Sequence, residues 1–503
     1  MWKEFLIVTL FLAKGNAKGC VPYTVNNDVV ACVCNATYCD TFDHVPKSIE
    51  PGTFYWYVTN KEGLRMKMSQ VKIGNDHKSP SNVTLTINRK EQYQKMLGFG
   101  GAFTDSTGIN IRKLSPATQD QLIRTYYSPE TGSKYTIGRI PIGGTDFSTR
   151  PYSYDDHVND SSLLYFSLAP EDYQYKIPFA RKALELNSDL KFFASAWSAP
   201  GWMKTNGVLA GYGFLEEKYY QTYANYLALF VDEYKKNGID MWAVTTGNEP
   251  TIDLQVKNSK MITMGWTPET MADWVANYMG PTLANKGTVV LALDDDRELL
   301  PWYVEPLFKN KKASKYTVGT GVHWYFEYEA SITTMDKTHE EFPDKILLLT
   351  EASILEPIWG TPNVTAKAWA HGERYFKEII KYVNHWSVGF VDWNLALDEK
   401  GGPTWIKNYL DAGIIVNPEK DEFYKLPIFY AMAHFSRFVD RGSARISITG
   451  SETIKSTAFI TQSEEIVVIL YNSNNFSTSV TLADEQMLQL ELSPYSMNTI
   501  IYK

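Results

Sequence analysis

Two runs decide the fold: Met241-Trp242-Ala243-Val244-Thr245-Thr246-Gly247-Asn248-Glu249-Pro250 and Lys345-Ile346-Leu347-Leu348-Leu349-Thr350-Glu351-Ala352-Ser353. Each is apolar and strand-like, and each stops at a glutamate. Near-continuous apolar runs suit strands covered on both faces, as in parallel sheets. An acidic residue at the carboxyl end of such a strand sits at the mouth of an α/β barrel.

Working outward, residues 96–100, 136–142, 190–195, 288–293, 317–324 and 388–393 read as further strands of the same kind. Helical patterns lie between several of them. In residues 219–234, Tyr223, Tyr226, Leu227 and Phe230 recur at i, i+3, i+4 and i+7. Strands alternating with helices in this number predict an α/β protein built on a (β/α)8 TIM barrel. A doubly wound nucleotide-binding sheet fits less well, because Gly98-Phe99-Gly100-Gly101-Ala102 lacks the third glycine of the fingerprint. Before the barrel, residues 53–58 and 83–87 alternate as short strands, and short strands return after Arg445. Neither terminal region is long enough for a stable sandwich alone, so the two are expected to pair into one discontinuous β module. Residues 423–438 read as a helix, and His434 on it as a satisfied structural histidine.

The chain has 503 residues, which suits a barrel plus a second module. Its net charge of −8 and the absence of a basic stripe disfavour a nucleic-acid partner. The N-terminus has a short basic start, an apolar core from Phe5 to Ala13 and small residues at Gly15 and Ala17, the pattern of a secretory signal peptide. All four cysteines, Cys20, Cys32, Cys34 and Cys39, follow it closely. In an oxidising compartment they form two disulfides, with three connectivities open and Cys32–Cys34 the most strained. Sequons at Asn35, Asn82, Asn159, Asn363 and Asn475 fit glycosylation in the same compartment.

The strand ends carry the chemistry. Glu249 and Glu351 stand about three strand–helix units apart at roughly 35 residues per unit, which places them on strands four and seven, facing across the mouth. Paired carboxylates at a pocket are the equipment for cleaving a glycosidic bond. Glu249 is the expected general acid and Glu351 the expected nucleophile, with Asn248 placed to donate to a sugar 2-hydroxyl. Arg139, near the end of strand two, is the expected cation that keeps Glu351 ionised. Asp294-Asp295-Asp296 reads as a polar strand end at the pocket rim; it lacks calcium-loop spacing. Ser195 and Ser198 stand outside a nucleophile elbow, and there is no His-Glu-x-x-His, so no metal and no cofactor is expected. The apolar residues Ile354, Leu355, Ile358 and Trp359 are candidates for a lip against a lipid surface.

Several stretches together are specific: Cys32-Val33-Cys34-Asn35-Ala36-Thr37-Tyr38-Cys39-Asp40, Gly98-Phe99-Gly100-Gly101-Ala102, Leu293-Asp294-Asp295, Val322-His323-Trp324-Tyr325 and Asp392-Trp393-Asn394-Leu395-Ala396-Leu397. On these the chain resembles glycoside hydrolase family 30 from Cys20 to its C-terminus. The resemblance implies a retaining β-glucosidase that cleaves glucosylceramide to glucose and ceramide by double displacement. It implies a TIM barrel (96–394 plus 427–442), a discontinuous immunoglobulin-like β-sandwich module (47–95 plus 443–503) and a small disulfide-bearing antiparallel N-terminal sheet (20–46 plus 395–426), after a signal peptide at 1–17. It carries the acid/base onto Glu249 and the nucleophile onto Glu351. It carries sugar-pocket roles onto Asp146, Trp197, Asn248, Trp393 and Asn408, and places His323 and Tyr325 beside the nucleophile. It also pairs Cys20 with Cys32 and Cys34 with Cys39. The implied partners are glucosylceramide or another β-glucoside, with a saposin-type activator and an anionic membrane surface as candidates. The implied destination is the lysosomal lumen, with the extracellular space as alternative.

The chain departs from the family at Gly247, where glutamate is usual, and in the loop 251–265, which lacks the Tyr and Phe of the family's entrance. A glucosidase or xylosidase of soluble conjugates and an inactive glycolipid-binding protein are therefore the alternatives.

Overall fold

The computed structural model describes residues 17–44, 49–73, 82–252, 260–326, 330–360 and 364–503. The expected signal peptide up to residue 16 and the sequon asparagine Asn363 lie outside the described residues.

Eight parallel strands close into a barrel: β1 (Gly98–Ala102), β2 (Ile137–Ile142), β3 (Lys191–Ala196), β4 (Met241–Thr245), β5 (Val289–Asp296), β6 (Thr317–His323), β7 (Ile346–Glu351) and β8 (Ser387–Asn394). β8 pairs with β1 to complete the ring. Close approach demands glycine where β1 meets β2: a Cβ on Gly100 would fall 1.8 Å from the Ile137 carbonyl oxygen. One helix, Tyr220–Lys236, takes the predicted periodic face inward, burying Tyr223, Tyr226, Leu227 and Phe230. The barrel floor is a layer of Ile137, Phe193, Ala243, Leu291, Leu348, Val388 and Val391, drawn from six strands. Alternation along a strand then brings the residue two positions on to the same inner face. That rule lifts Arg139, Ser195 and Thr245 into the next layer, under the mouth.

Strand β5 breaks the rule. It runs on to Asp296, beyond the expected end at Leu293, and its register with β6 shifts between Leu293 and Asp295. Leu293 and Asp294 both have left-handed backbones, with φ of 66° and 65°. This bulge turns Asp294 inward.

Two β modules flank the barrel, each assembled from distant segments. One sheet has the order Pro22–Val25, Asp28–Asn35, Glu422–Lys425, Ile414–Asn417, Ala396–Asp398. It is mixed rather than antiparallel, because Ala396–Asp398 pairs in parallel with Ile414–Asn417. The reason is connectivity: Ala396–Asp398 leaves β8 directly, and residues 399–413 return before pairing instead of turning back as a hairpin. The disulfides are Cys20–Cys32 and Cys34–Cys39. The other module is nine-stranded, in the order Met487–Leu492, Thr478–Ala483, Val83–Lys95, Ala444–Thr449, Ile454–Ile460, Ile466–Asn472, Ser496–Tyr502, Thr53–Asn60, Lys67–Lys72. Residues from both halves of that order, among them Phe54, Leu85, Ile446, Ile466 and Leu490, form one core, so the sheet folds over itself as a sandwich.

The helix expected at 423–438 is shorter, Pro427–Ser436, because Glu422–Lys425 is taken as a strand by the small sheet. His434 lies fully buried between the hydroxyls of Thr499 and Thr59, at 2.8 and 3.0 Å, and burial pushes its pKa down to about 3. Among the sequon asparagines, Asn82, Asn159 and Asn475 are exposed, while Asn35 is half-buried, its Oδ1 accepting from Thr37 and Tyr38.

Candidate active site

The ends of β4 and β7 bring Glu249 and Glu351 together. A carboxylate oxygen of each and a ring nitrogen of His323 all lie within 4.8 Å of one another. Glu249 is in the left-handed region, with φ of 45°. Its chain is tied on both sides: Asn248 N–H donates to the Ala196 carbonyl on β3 and Glu249 N–H to the Asp294 carbonyl on β5, both at 2.9 Å. Such a backbone costs about 1–3 kcal/mol and persists only where its surroundings hold it.

Arg139 lies at the centre, fully buried. Its Nη1 donates to Glu351 Oε2, and its Nη2 donates to Asn248 Oδ1 at 2.8 Å and to Asp294 Oδ2 at 2.9 Å. Burial opposes its charge, but Asp294 and Glu351 outweigh it and hold the guanidinium firmly protonated. Its Cζ lies 5.1 Å from the ring centre of Trp197 and 5.2 Å from that of Trp393, and the two indoles stack on each other. Because Arg139 takes Asn248 Oδ1, the amide Nδ2 of Asn248 is left as a donor.

Tyr325 donates its hydroxyl to Glu351 Oε1 at 2.7 Å. His323 hydrogen-bonds on the acid side: its Nδ1 meets Glu249 Oε1 at 3.0 Å and its Nε2 meets Asp294 Oδ1 at 3.1 Å. It is near the nucleophile but bonded to the other glutamate. Burial disfavours a charge on this imidazole, yet Glu351, Asp294 and Glu249 together hold its pKa well above the ordinary range. For Asp294, burial alone would raise the carboxyl; Arg139 above all, then His323 and Ser195, hold it well below the usual range.

Asp146 accepts from Asn408 Nδ2 at 2.6 Å, which joins the loop after β2 to residues beyond β8. Burial pushes Asp146 up to about 7; the Asn408 bond opposes this, and the charges of Glu351 and Glu249 add to it. Asp392 accepts from the Tyr375 hydroxyl at 2.6 Å, and burial pushes it likewise to about 7.

The three aspartates of β5 do more than line a rim. Asp294 binds Arg139, His323 and Ser195; Asp295 accepts from the N–H and hydroxyl of Thr251; Asp296 accepts from Tyr325 N–H. They tether the loops that follow both Glu249 and His323. Sequence reasoning placed them at the mouth but missed these bonds, because an inward Asp294 depends on a bulge that no glycine announces. The expected lip is mostly filled: Ile354 and Ile358 are buried, Trp359 packs on Tyr23 and Tyr424, and Leu355 is 71% exposed. Size alone does not locate the chemistry. A cleft of about 560 Å³ between the helix Val364–Asn384 and the strands Ala444–Thr449 and Ile454–Ile460 contains none of the strand-end residues.

Two oxygens of opposed carboxylates, one cation on Glu351 and a stacked indole wall make a site for sugar-ring chemistry. The comparisons agree. Residues 96–439 match the glycosyl hydrolase family 30 TIM-barrel domain, and residues 442–500 match the family's beta sandwich domain. The chain is 39% identical to lysosomal acid glucosylceramidase of Mus musculus, over 99% of this chain and 98% of that protein. It is 38% identical to putative glucosylceramidase 3 of Caenorhabditis elegans, over 94% and 92%. Among solved structures, SrfJ from Salmonella typhimurium superposes with a TM-score of 0.83 at 25% identity, covering 90% of this chain and 99% of that one. With a family model spanning the whole barrel and relatives this similar along nearly the whole chain, the protein belongs to glycosyl hydrolase family 30.

Proposed function

We propose that this glycoside hydrolase is a retaining β-glucosidase that cleaves glucosylceramide to glucose and ceramide by double displacement. The observation that carries the reading is the approach of the Glu249 and Glu351 carboxylates, with oxygens within 4.8 Å. Carboxyl groups about 5–5.5 Å apart leave no room for a water between them and favour a nucleophile; inverting pairs stand wider.

Glu351 attacks the anomeric carbon while Glu249 gives its proton to the departing glycosidic oxygen. The carbon–oxygen bond to the aglycone breaks and a glucosyl ester on Glu351 forms. Water then attacks the same carbon, Glu249 takes its proton, and the ester bond breaks. Arg139 and Tyr325 hold the two oxygens of Glu351 and keep it aimed at the anomeric carbon. Asn248 Nδ2 supplies a hydrogen bond to the sugar 2-hydroxyl. Asp146 and Asn408, with Trp197 and Trp393, bind the rest of the glucose ring. The likeness to lysosomal and putative glucosylceramidases supports ceramide as the aglycone. The same reading sends the protein to the lysosomal lumen, where an anionic membrane surface and a saposin-type activator present the lipid.

The test is direct. Purified protein is assayed on glucosylceramide at mildly acidic pH and labelled with a 2-deoxy-2-fluoro-β-glucoside. Glucose release and a covalent label on Glu351, absent in Glu351→Gln, are the expected results. No glucose from any β-glucoside, or a label on another residue, overturns the reading.

A further inference from the structure

Asp294 hydrogen-bonds neither glutamate through its side chain, yet it is bonded to the residue that holds each one. Its Oδ2 accepts from Arg139 Nη2 at 2.9 Å and from Ser195 Oγ at 2.5 Å, and its Oδ1 meets His323 Nε2 at 3.1 Å. Arg139 in turn reaches Glu351, and His323 reaches Glu249. Its carbonyl accepts the Glu249 N–H. We propose that Asp294 is a positioning residue for both glutamates, anchoring Arg139 on Glu351 and His323 on Glu249 through one shared carboxylate. The inference rests on the acid/base and nucleophile roles assigned above.

Three features argue for this. First, Arg139, His323 and Asp294 are all fully buried, and the one Asp294 carboxylate meets both Arg139 Nη2 and His323 Nε2 where no solvent can replace it. Removing one member of such a group leaves an uncompensated buried charge, which is costly. Second, the Asp294 side chain reaches this point only through the left-handed bulge at Leu293 and Asp294. Strained backbone of that kind clusters where geometry serves function. Third, the arrangement fits the charge movement of the reaction. Before glycosylation Glu351 is the anion and Glu249 carries the proton. As the ester forms, Glu351 loses its charge and Glu249 becomes the anion. Arg139 then keeps Asp294 as its anionic partner, and the His323 imidazolium donates Nδ1–H to the new carboxylate of Glu249. Asp294 thus supplies a counter-charge that stays constant while the negative charge passes from one glutamate to the other. A carboxylate that fixes the tautomer and orientation of a histidine from behind has the same physical role in other hydrolases.

The experiment compares Asp294→Asn and Ser195→Ala with the unaltered full-length protein on an aryl β-glucoside. Fluoroglucoside trapping counts the competent sites in each. Asp294→Asn is expected to lower kcat per trapped site by about 10²- to 10⁴-fold. Its alkaline pH limb is expected to shift from that of the unaltered protein as His323 loses its counter-charge. Ser195→Ala removes a neutral hydrogen bond from the same carboxylate, so it loses less than about tenfold and keeps the limb. A purely structural role for Asp294 predicts fewer trapped sites but unchanged kcat per site and an unchanged limb, and that result overturns the proposal. If the asparagine variant does not fold, ¹⁵N spectra of the unaltered protein decide. A charged His323 ring from mildly acidic to neutral pH supports the proposal, and a neutral ring at neutral pH overturns it. Failure to label Glu351 in the unaltered protein defeats the functional reading itself; unaltered kcat and limb in Asp294→Asn defeat only this inference.

Discussion

Raising the pH should destabilise this protein through its buried acids, and the size of the effect follows from the site. Burial pushes Asp146, Asp295 and Asp392 each up to about 7, against about 3.9 for an aspartate in an unfolded chain. The folded state therefore holds protons that the unfolded state releases, and stability falls as pH rises from about 4 to about 7. One carboxyl shifted this far accounts for about 2 kcal/mol between about pH 5 and about pH 7. Asp294 acts in the opposite sense and elsewhere: its depressed pKa contributes stability above about pH 4 that is lost only in stronger acid. His323, held high, adds stability that is complete below about pH 6.5 and is lost as pH rises from there through its folded pKa. Maximum stability thus belongs at about pH 4–5. Thermal melting followed by circular dichroism at acid and neutral pH measures it, and a melting point several degrees lower at neutral pH is expected. Asp392→Asn isolates one contributor. Asparagine keeps the Oδ1 acceptor that Tyr375 and the Trp393 N–H use, but cannot titrate. The pH slope of the variant should be visibly shallower. A melting point equal or higher at neutral pH, or an unaltered slope in Asp392→Asn, refutes the reasoning.

Glu249→Gln should keep the first step on an activated aryl glucoside but slow the second, giving a burst of phenol in stopped flow. With a poor leaving group its kcat/KM should fall about 10²- to 10⁴-fold, and a variant with no burst would count against the assigned role. Leu355→Asp removes the exposed apolar side chain beside the mouth. It should weaken binding to anionic vesicles roughly ten- to hundredfold, from the transfer energy of one leucine, and spare hydrolysis of a soluble glucoside; equal losses on both substrates would place Leu355 elsewhere in the mechanism. Cys20–Cys32 and Cys34–Cys39 close short loops, with separations of 12 and 5 residues. Their paired alanine variants should lose about 3 and about 2 kcal/mol respectively, read as denaturation midpoints, and the reverse order would deny the loop-closure account.

The barrel was legible because its strands are apolar throughout and end in polar residues. Glu249 and Glu351 were legible because each terminates such a strand, and Arg139 because it stands near the end of strand two, on the same rim. Apart from Arg139 on Glu351, the bonds made across the mouth were not legible. Asp294 turns inward through two left-handed non-glycine residues, a conformation that side-chain periodicity cannot announce. Asn408 meets Asp146 from a segment beyond β8, and His323 spans Glu249 with one ring nitrogen and Asp294 with the other. The parallel pair in the small sheet was missed for a related reason, since the path of residues 399–413 leaves no trace in strand pattern.

The braided order of the sheets has a consequence for biosynthesis. Asp28–Asn35 waits for Glu422–Lys425, Val83–Lys95 waits for Ala444–Thr449, and β1 waits for β8. A ribosome must therefore deliver nearly the whole chain before any of the three sheets can close. Until then their unpaired edges stand open, the condition in which slow, non-local folding meets aggregation and the chaperones that oppose it. Substitutions remote from the mouth, at the seams where early and late segments meet, should then lower the amount of enzyme that reaches its compartment while leaving each surviving molecule fully active.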